Sequence, residues 1–362
     1  MRAERLLALL GLLWLAAGAA GAAWAAGPAG SVAPPATLHA AHPEHAIEWW
    51  YFTGFVDIEG GGRHALQVTF FRLRPPPGAW SENPSSFTPR QVYLAQAALG
   101  DLAHGTRRTA ERVARGGAGG GSAAAHALAL RVAEWELTAA PGHWRLRVPL
   151  GEEWLELELR PQGAPVHHGD AGRSRKAFDG RYFSHYYSYP QVLARGTLGS
   201  GAEQRAVRGE LWFDHEWSDG LLPPGASGWD WLWLRFDDGA ALMAFRVRDA
   251  APGRDFHAGT WITRDGVVRA LGPGALKLRS LETWRSPRTG VRWPVVLELS
   301  VGARRWRIEA LHPAQEMGTD SALSPVYWEG AVRARGASHG HGFVELTGYD
   351  GQPVFGAQAP EQ

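Results

Sequence analysis

The sequence contains no cysteine among its 362 residues. This absence excludes disulfide bonds and lipid attachment at a cysteine, so burial of a core must stabilise the fold alone. Neither sign of charge dominates, because 37 Lys+Arg face 36 Asp+Glu and the formal net charge is +1. The balance gives no support for nucleic acid or another strongly charged partner.

Several enzyme motifs are also missing. We find no HExxH motif, no thiolate ligand and no dinucleotide or phosphate loop. We therefore expect no cofactor and no metal. Among the 15 histidines, the pairs His167/His168 and His339/His341 keep a metal site open as an alternative, although a Gly-rich turn also explains the second pair.

The N-terminus has the pattern of a targeting segment. Arg2 and Arg5 precede an apolar run from Leu6 to Leu15, and Ala23–Ala25 fits a small-x-small cleavage pattern. The sequence predicts a signal peptide over residues 1–26 and a soluble, periplasmic mature chain. An uncleaved anchor is the alternative, although the apolar run is short for a membrane span.

The rest of the chain is rich in 18 Trp, 46 Gly and 24 Pro and follows the two-residue period of β-strands. One modest helix candidate lies at 108–114, and the Gly-rich segment 115–125 predicts a flexible loop. Short strands separated by turns predict an all-β barrel or sandwich. The clearest strands are 64–74, 143–150, 153–161, 230–236, 294–301 and 305–311.

The second half of the sequence repeats the first in the same order. This indicates two copies of one β unit, although similar composition alone could make aromatic strands alike. We expect a linker over 27–40, then domains over 41–204 and 205–362. The matching segments are 49–74 with 229–248, 152–161 with 304–313, 186–196 with 326–336, and 209–217 with 342–350.

The repeat draws attention to the stretch "GELWFDHEWSDG" at 209–220. Aligned on Gly209 and Gly342, Asp214-His215-Glu216 fall opposite Thr347-Gly348-Tyr349. If the copies share a fold, that fold does not require the three ionisable groups.

Several motifs carry a family resemblance, among them "HPEHAIEWWYFTGF" (42–55), "SHYYSYPQVLARGTL" (184–198), "LWFDHEWS" (211–218) and "GWDWLWLRFDDG" (228–239). Together they cover nearly the whole mature chain and resemble the AttH-like/carotenoid 1,2-hydratase family, whose members are often labelled secreted hydrolases. The resemblance implies two tandem lipocalin-like antiparallel β-barrels, export, and frequently an association with an ABC-type transporter. In the carotenoid branch, water adds across a terminal double bond of an acyclic carotenoid.

The sequence departs from the family pattern in two places. The segment 115–135 has fewer apolar and acidic residues than the family leads us to expect, which puts ligand contacts of that loop in doubt. The lipid-attachment cysteine of many relatives is absent, which favours a soluble periplasmic protein.

Asp214, His215 and Glu216 are the candidate catalytic residues. Alternation along a strand puts Asp214 and Glu216 on one face and His215 on the other. Burial beside indoles raises a carboxyl pKa, and a neutral carboxylic acid can protonate an alkene, while His215 could accept a proton from water. The alternative is that the carboxylates pair with arginines such as Arg72 or Arg246.

Aromatic side chains near these residues are the candidate ligand-binding groups. Indole faces can stabilise a carbocation, and phenols can orient a ligand in an apolar pocket. For each of these residues a structural role in the core or at a strand start is the alternative. The candidates are Glu48, Trp50, Tyr51, Tyr186, Tyr187, Trp212, Trp217, Trp229 and Trp231.

The sequence leaves two main functions open. The first is an exported module that binds an apolar lipid or isoprenoid, with or without a link to an ABC-type transporter. The second is a hydratase or hydrolase-type enzyme that adds water to a polyene or lipid by acid–base chemistry. A scaffold with purely structural aromatics is a third, and the sequence indicates neither the ligand nor the oligomeric state.

Overall fold

The computed structural model describes residues 36–75, 85, 88–117, 120–220, 222–251, 253–318 and 326–351. The predicted signal peptide and most of the predicted linker lie outside these ranges. Within them, no helix is long and apolar enough to cross a membrane. Export and signal-peptide cleavage stay predictions.

The described chain is almost entirely β, apart from one 3-10 turn at Ala36–His39. Thirteen strands form the first sheet. They are β1 (Ile47–Ile58), β2 (Gly62–Leu73), β3 (Val92–Asp101), β4 (Arg107–Gly116), β5 (Gly120–Ala123), β6 (Ala129–Val132), β7 (Trp135–Ala140), β8 (His143–Leu150), β9 (Glu153–Pro161), β10 (Val166–His167), β11 (Arg173–Arg175), β12 (Phe183–Ser200) and β13 (Glu203–Ser218).

Eleven of these strands close into a barrel. The order runs from β12 through β13 and β1 and then in sequence from β2 to β9, and β9 pairs back to β12. Strands β10 and β11 pair only with β12. Neighbouring strands are antiparallel except for the short parallel contact between β4 and β5. Closure removes the exposed sheet edge that an open sheet of this length would present.

The second sheet has ten strands in the order β17-β16-β15-β14-β23-β22-β20-β19-β18, with β21 beside β22. It curls into a half-barrel, so the described chain has the predicted two-domain, lipocalin-like all-β fold. The strands are β14 (Ala226–Phe236), β15 (Ala241–Asp249), β16 (Phe256–Ile262), β17 (Val268–Leu271), β18 (Leu276–Arg285), β19 (Arg292–Val301), β20 (Arg304–Ala310), β21 (Glu316–Met317), β22 (Tyr327–Gly336) and β23 (Gly340–Leu346).

The strands predicted from two-residue periodicity are present, whereas the predicted helix at 108–114 is wrong. That segment belongs to β4, which pairs with β3 from Gly100 to Val92. Ladder formation with a buried neighbour overrides weak helical propensity. The predicted loop at 115–125 contains the end of β4 and all of β5, so it is partly sheet.

Two layers of side chains position the site. The barrel has its own interior core, and a second apolar layer lies between the barrel's outer surface and β14, β15 and β23. In that layer Trp212 stacks on Trp233 with ring centroids 5.5 Å apart, and Trp233 Nε1 donates to Thr53 Oγ1 at 2.8 Å. The two sheets therefore share a buried, aromatic interface.

The two repeated units pair their strands in the same way, so the paired residues show which positions correspond between the units. Glu48 lies opposite Arg72 on β1 and β2, as Asp230 lies opposite Arg246 on β14 and β15. One residue further on, Trp49 lies opposite Glu216 and Trp231 lies opposite Glu345.

This register makes Glu345 the counterpart of Glu216. The alignment on Gly209 and Gly342 is displaced by four residues, since it places Glu345 opposite Trp212. The second copy therefore keeps one of the acidic groups that it had been expected to lack. The boundary expected at 204/205 falls inside β13, which pairs with β1 through Ser218.

Candidate active site

Strand alternation separates the three candidate catalytic residues. Asp214 and Glu216 point into the layer between the sheets, whereas His215 points into the barrel beside Phe213 and Tyr187. All three are buried, with at most 5% of each residue exposed. Because side chains alternate along the regular strand β13, the three residues belong to two separate polar groups and do not form one catalytic centre.

A cavity of about 110 Å³ lies between the sheets. Five carboxyl groups face it: Asp214 and Glu216 from the first sheet, Glu329 and Glu345 from the second, and Asp350 after β23. Its walls are otherwise mainly apolar and aromatic, formed above all by Trp49, Tyr51, Tyr186, Trp229, Trp231 and Phe245. Acidic groups in an aromatic cavity suit proton transfer to an apolar ligand.

Asp214 is held by three hydrogen-bond donors. Its Oδ1 accepts from Trp212 Nε1 at 2.7 Å and from the Ser188 hydroxyl, and the Tyr186 hydroxyl also donates to the carboxyl group. All three bonds favour the carboxylate, but burial, together with repulsion from Glu216, outweighs them and raises the pKa of Asp214 to about 8. Asp214 is thus a neutral carboxylic acid near pH 7.

Glu216 has a cation as its partner. Lys176 Nζ lies 2.7 Å from Glu216 Oε1 and 4.3 Å from the ring centroid of Phe245. The sequence suggested Arg72 or Arg246 as partners of the two carboxylates, and this alternative is wrong. Arg72 pairs with Glu48, and Arg246 pairs with Asp230 and Asp255. The cavity thus holds an ion-paired carboxylate close to a protonated one.

The second sheet contributes Glu329 and Glu345. Tyr51 Oη donates to Glu329 Oε1 at 2.5 Å, and Trp229 Nε1 donates to Glu345 Oε1 at 2.9 Å. Burial raises the pKa of Glu329 to about 7, and burial with repulsion from Glu329 raises that of Glu345 to about 8.

Sequence reasoning did not select Glu329 and Glu345. A signal was present, since both lie in the strand motifs "YWEGAV" and "GFVELTGY", where a charged residue has apolar or small neighbours. Because the repeat was misaligned, the sequence comparison did not relate these two glutamates to Tyr186 and Glu216, which line the same cavity.

The barrel holds the other polar group, centred on Glu48. Glu48 Oε1 lies 2.8 Å from His215 Nε2 and 2.8 Å from His42 Nδ1, and Arg72 Nε donates to Oε2 at 2.8 Å. Burial alone would raise the pKa of Glu48, but hydrogen bonds from both histidines and the charge of Arg72 hold it well below its usual range.

The chain of contacts continues beyond His215. Tyr187 Oη lies 2.9 Å from His215 Nδ1 and 2.7 Å from His39 Nδ1. Burial lowers the pKa of His215, and burial lowers that of His39 to about 3. Both imidazoles are therefore neutral near pH 7.

His42, Glu48 and His215 have the ligand types of a metal site and lie within 4.8 Å of one another. Their mutual hydrogen bonds and the Arg72 ion pair already account for the arrangement, so we assign no metal ligands there. The two histidine pairs noted in the sequence do not form a further group within the described chain. His339 is exposed, while His341 packs against Phe55.

The predicted ligand-binding residues divide in the same way. Tyr51, Tyr186, Trp229 and Trp231 line the cavity between the sheets, and Trp212 lies behind it as a donor to Asp214. The others belong to the barrel group: Glu48, Trp50, Tyr187 and Trp217, of which Trp50 and Trp217 stack on His215 and His42 respectively.

Comparison with known proteins supports the fold and gives the family. A crystal structure designated AttH, from Nitrosomonas europaea, shares 31% sequence identity with a TM-score of 0.79, covering 89% of this chain and 98% of that chain. Kievitone hydratase from Nectria haematococca shares the fold at 14% identity and a TM-score of 0.65, covering 89% of this chain and 95% of that chain.

A search of the curated proteins found no match. The model of the AttH-like family, in contrast, matches residues 31–349, which is most of the sequence. This match extends over both sheets and over every residue that faces the cavity except Asp350. The chain therefore belongs to the AttH-like family.

Proposed function

We propose that this protein binds an apolar, unsaturated small molecule between its two sheets and adds water across a carbon–carbon double bond. Asp214 is the general acid and Glu216 the general base. The observation that carries the proposal is a buried carboxyl group, neutral near pH 7, in an aromatic cavity. The same groups would catalyse the reverse dehydration.

Asp214 suits the role of acid better than the other neutral carboxyl groups. After it gives up its proton, the carboxylate receives hydrogen bonds from Trp212, Ser188 and Tyr186. Glu329 receives two such bonds and Glu345 receives one. Donors placed where negative charge develops stabilise the product of proton transfer.

The reaction needs a base and a way to hold positive charge. Protonation of one alkene carbon leaves a carbocation on the other, which the faces of Trp49, Trp229 or Trp231 can stabilise. A water molecule then forms the new C–O bond, and Glu216, held by Lys176, takes the proton that the water loses. One proton is delivered and one is removed, so the charges balance.

The test uses purified protein and a panel of acyclic polyenes, isoprenoids and unsaturated fatty acids in water enriched in ¹⁸O. A converted ligand gains one water, and mass spectrometry detects the label in its new hydroxyl group. Asp214→Asn should lower the rate at least about a hundredfold, as removal of a general acid does. Glu216→Gln should lower it by a similar factor.

Glu156→Gln is the matched control, because Glu156 is an exposed carboxylate paired with Arg147 on the barrel surface. If Asp214→Asn and the control turn over a converted ligand equally fast, the assignment of the acid is wrong. If every ligand that binds is recovered unchanged, the cavity carries a ligand without converting it, and the simpler binding function expected from the sequence replaces this proposal.

A further inference from the structure

A continuous line of buried hydrogen bonds leads away from Asp214 Oδ1. Ser188 donates to Asp214 Oδ1, and Ser188 Oγ lies 2.6 Å from His168 Nε2. His168 Nδ1 lies 2.8 Å from Thr260 Oγ1 on β16 of the second sheet. All four residues are at most 2% exposed.

The direction of these hydrogen bonds is consistent along the whole line. Because Ser188 gives its hydrogen to Asp214, its oxygen accepts from His168 Nε2–H. Nδ1 of a neutral His168 is then an acceptor, which the hydroxyl of Thr260 satisfies. Burial lowers the pKa of His168 well below its ordinary value, which agrees with a neutral ring.

The line ends at a second cavity. His168 and Thr260 both belong to its wall, together with Arg173, Arg175 and Phe256, and its volume is about 460 Å³. Phe245 borders both cavities and so lies between them. Asp214 therefore contacts the ligand cavity directly and is linked to the second cavity only through side chains.

We propose that Ser188, His168 and Thr260 form a proton relay that restores the acid form of Asp214 from water in the second cavity. This inference rests on the proposed function. Ser188 passes its proton to Asp214 Oδ1, His168 passes the Nε2 proton to Ser188, Thr260 passes its proton to His168 Nδ1, and a water molecule gives a proton to Thr260 and leaves as hydroxide. Each residue of the relay loses one proton and gains one, and His168 changes from the Nε2–H to the Nδ1–H tautomer. Return of His168 to its first tautomer and rotation of the Asp214 carboxyl group, which turns the new proton toward the ligand, complete the reset.

The relay solves a problem that the proposed reaction creates. Asp214 gives its proton to carbon, while the proton taken from water goes to Glu216 on the same face of β13. The water that enters the cavity is consumed in forming the C–O bond, so while product fills the cavity that water cannot return a proton to Asp214. A path from the rear lets the enzyme reset while product still occupies the ligand cavity; the proton on Glu216 leaves to solvent afterwards.

The decisive measurement compares a single turnover with steady-state turnover of a ligand converted by the wild type. The relay acts only after the first proton transfer. Thr260→Val should therefore leave the single-turnover rate within about threefold of wild type and lower the steady-state rate at least about tenfold. Thr260→Ser keeps the hydroxyl and should retain the wild-type steady-state rate.

A second measurement needs no turnover. With a saturated hydrocarbon filling the ligand cavity, the infrared carboxylic acid band that disappears in Asp214→Asn should shift on transfer to D₂O more slowly in Thr260→Val than in wild type or Thr260→Ser. Equal exchange rates in all three proteins, or equal losses of single-turnover and steady-state rate, would overturn the relay. If no ligand is converted, the proposed function fails, while the exchange rates still decide whether the path exists.

Discussion

Adjacent residues on β13 lie in two polar groups that differ in how their charges are compensated. On the barrel side, Glu48 has Arg72 as a buried cation and two histidines as hydrogen-bond partners, so its pKa falls. On the cavity side, Asp214 has only neutral donors, so burial dominates and its pKa rises. Both carboxyl groups are buried, yet Glu48 is ionised and Asp214 is protonated, because their partners differ.

The largest expected effect comes from removing the barrel's cation. Arg72→Met leaves Glu48 buried without its compensating charge, so we expect a loss of about 3–5 kcal/mol in the free energy of unfolding. Urea unfolding followed by tryptophan fluorescence measures it. Arg279→Met is the control, since Arg279 pairs with Glu298 on the surface, and should cost less than about 1 kcal/mol. Equal effects of the two substitutions would show that Glu48 does not depend on Arg72.

The next effect is the dependence of stability on pH. The folded pKa of Asp214 and Glu345 lies above the unfolded value, so their contribution is fully present below about pH 4 and is lost as pH rises toward about 8. Glu48 has the opposite sign, because its contribution is present above its unfolded pKa of about 4.5 and is lost as pH falls.

Between pH 5 and 8 we therefore expect the double variant Asp214→Asn, Glu345→Gln to flatten the stability profile by about 1–3 kcal/mol relative to wild type. Urea unfolding at a series of pH values measures the slope. A double variant with the same slope as wild type would mean that these carboxyl groups are ionised in the folded protein at neutral pH.

A smaller effect is expected from neutral substitution on the cavity side alone. Asn has nearly the shape of a protonated Asp and needs no proton uptake on folding, so Asp214→Asn should raise the free energy of unfolding at pH 7 by about 1–3 kcal/mol. Glu48→Gln should lower it by about 2–4 kcal/mol, because it leaves Arg72 unpaired. Thermal unfolding of both variants at one pH ranks them, and the reverse order would contradict the comparison of the two groups.

The smallest effect concerns a single donor. Trp229→Phe removes the hydrogen bond to Glu345 Oε1, which favours the charged form. The pKa of Glu345 should then rise further by up to about one unit. NMR titration of ¹³C-labelled glutamate side chains measures the change, and an unchanged or lowered pKa would show that this bond does not act on the ionised carboxylate.

Periodicity predicted most of the strands because a residue's face depends only on its neighbours in sequence. The same rule predicted that Asp214 and Glu216 share a face opposite His215, as the structure has it. It could not show that the second sheet covers one of those faces, which brings Glu329 and Glu345 to Asp214. The helix predicted at 108–114 was wrong for a related reason, because that segment becomes a strand by pairing with β3, a contact between residues that are not neighbours in sequence.

The sequence by itself determined the all-β class, the repeat and the alternation that separates Asp214 from His215, because these follow from local spacing and side-chain type. Only the tertiary structure decided which carboxyl groups are ionised, because protonation depends on partners distant in the chain. Arg72 lies 24 residues from Glu48, whereas Asp214 has no cation as a hydrogen-bond partner among its described contacts, and the second sheet closes over it. A buried group's charge is a property of the packed assembly around it.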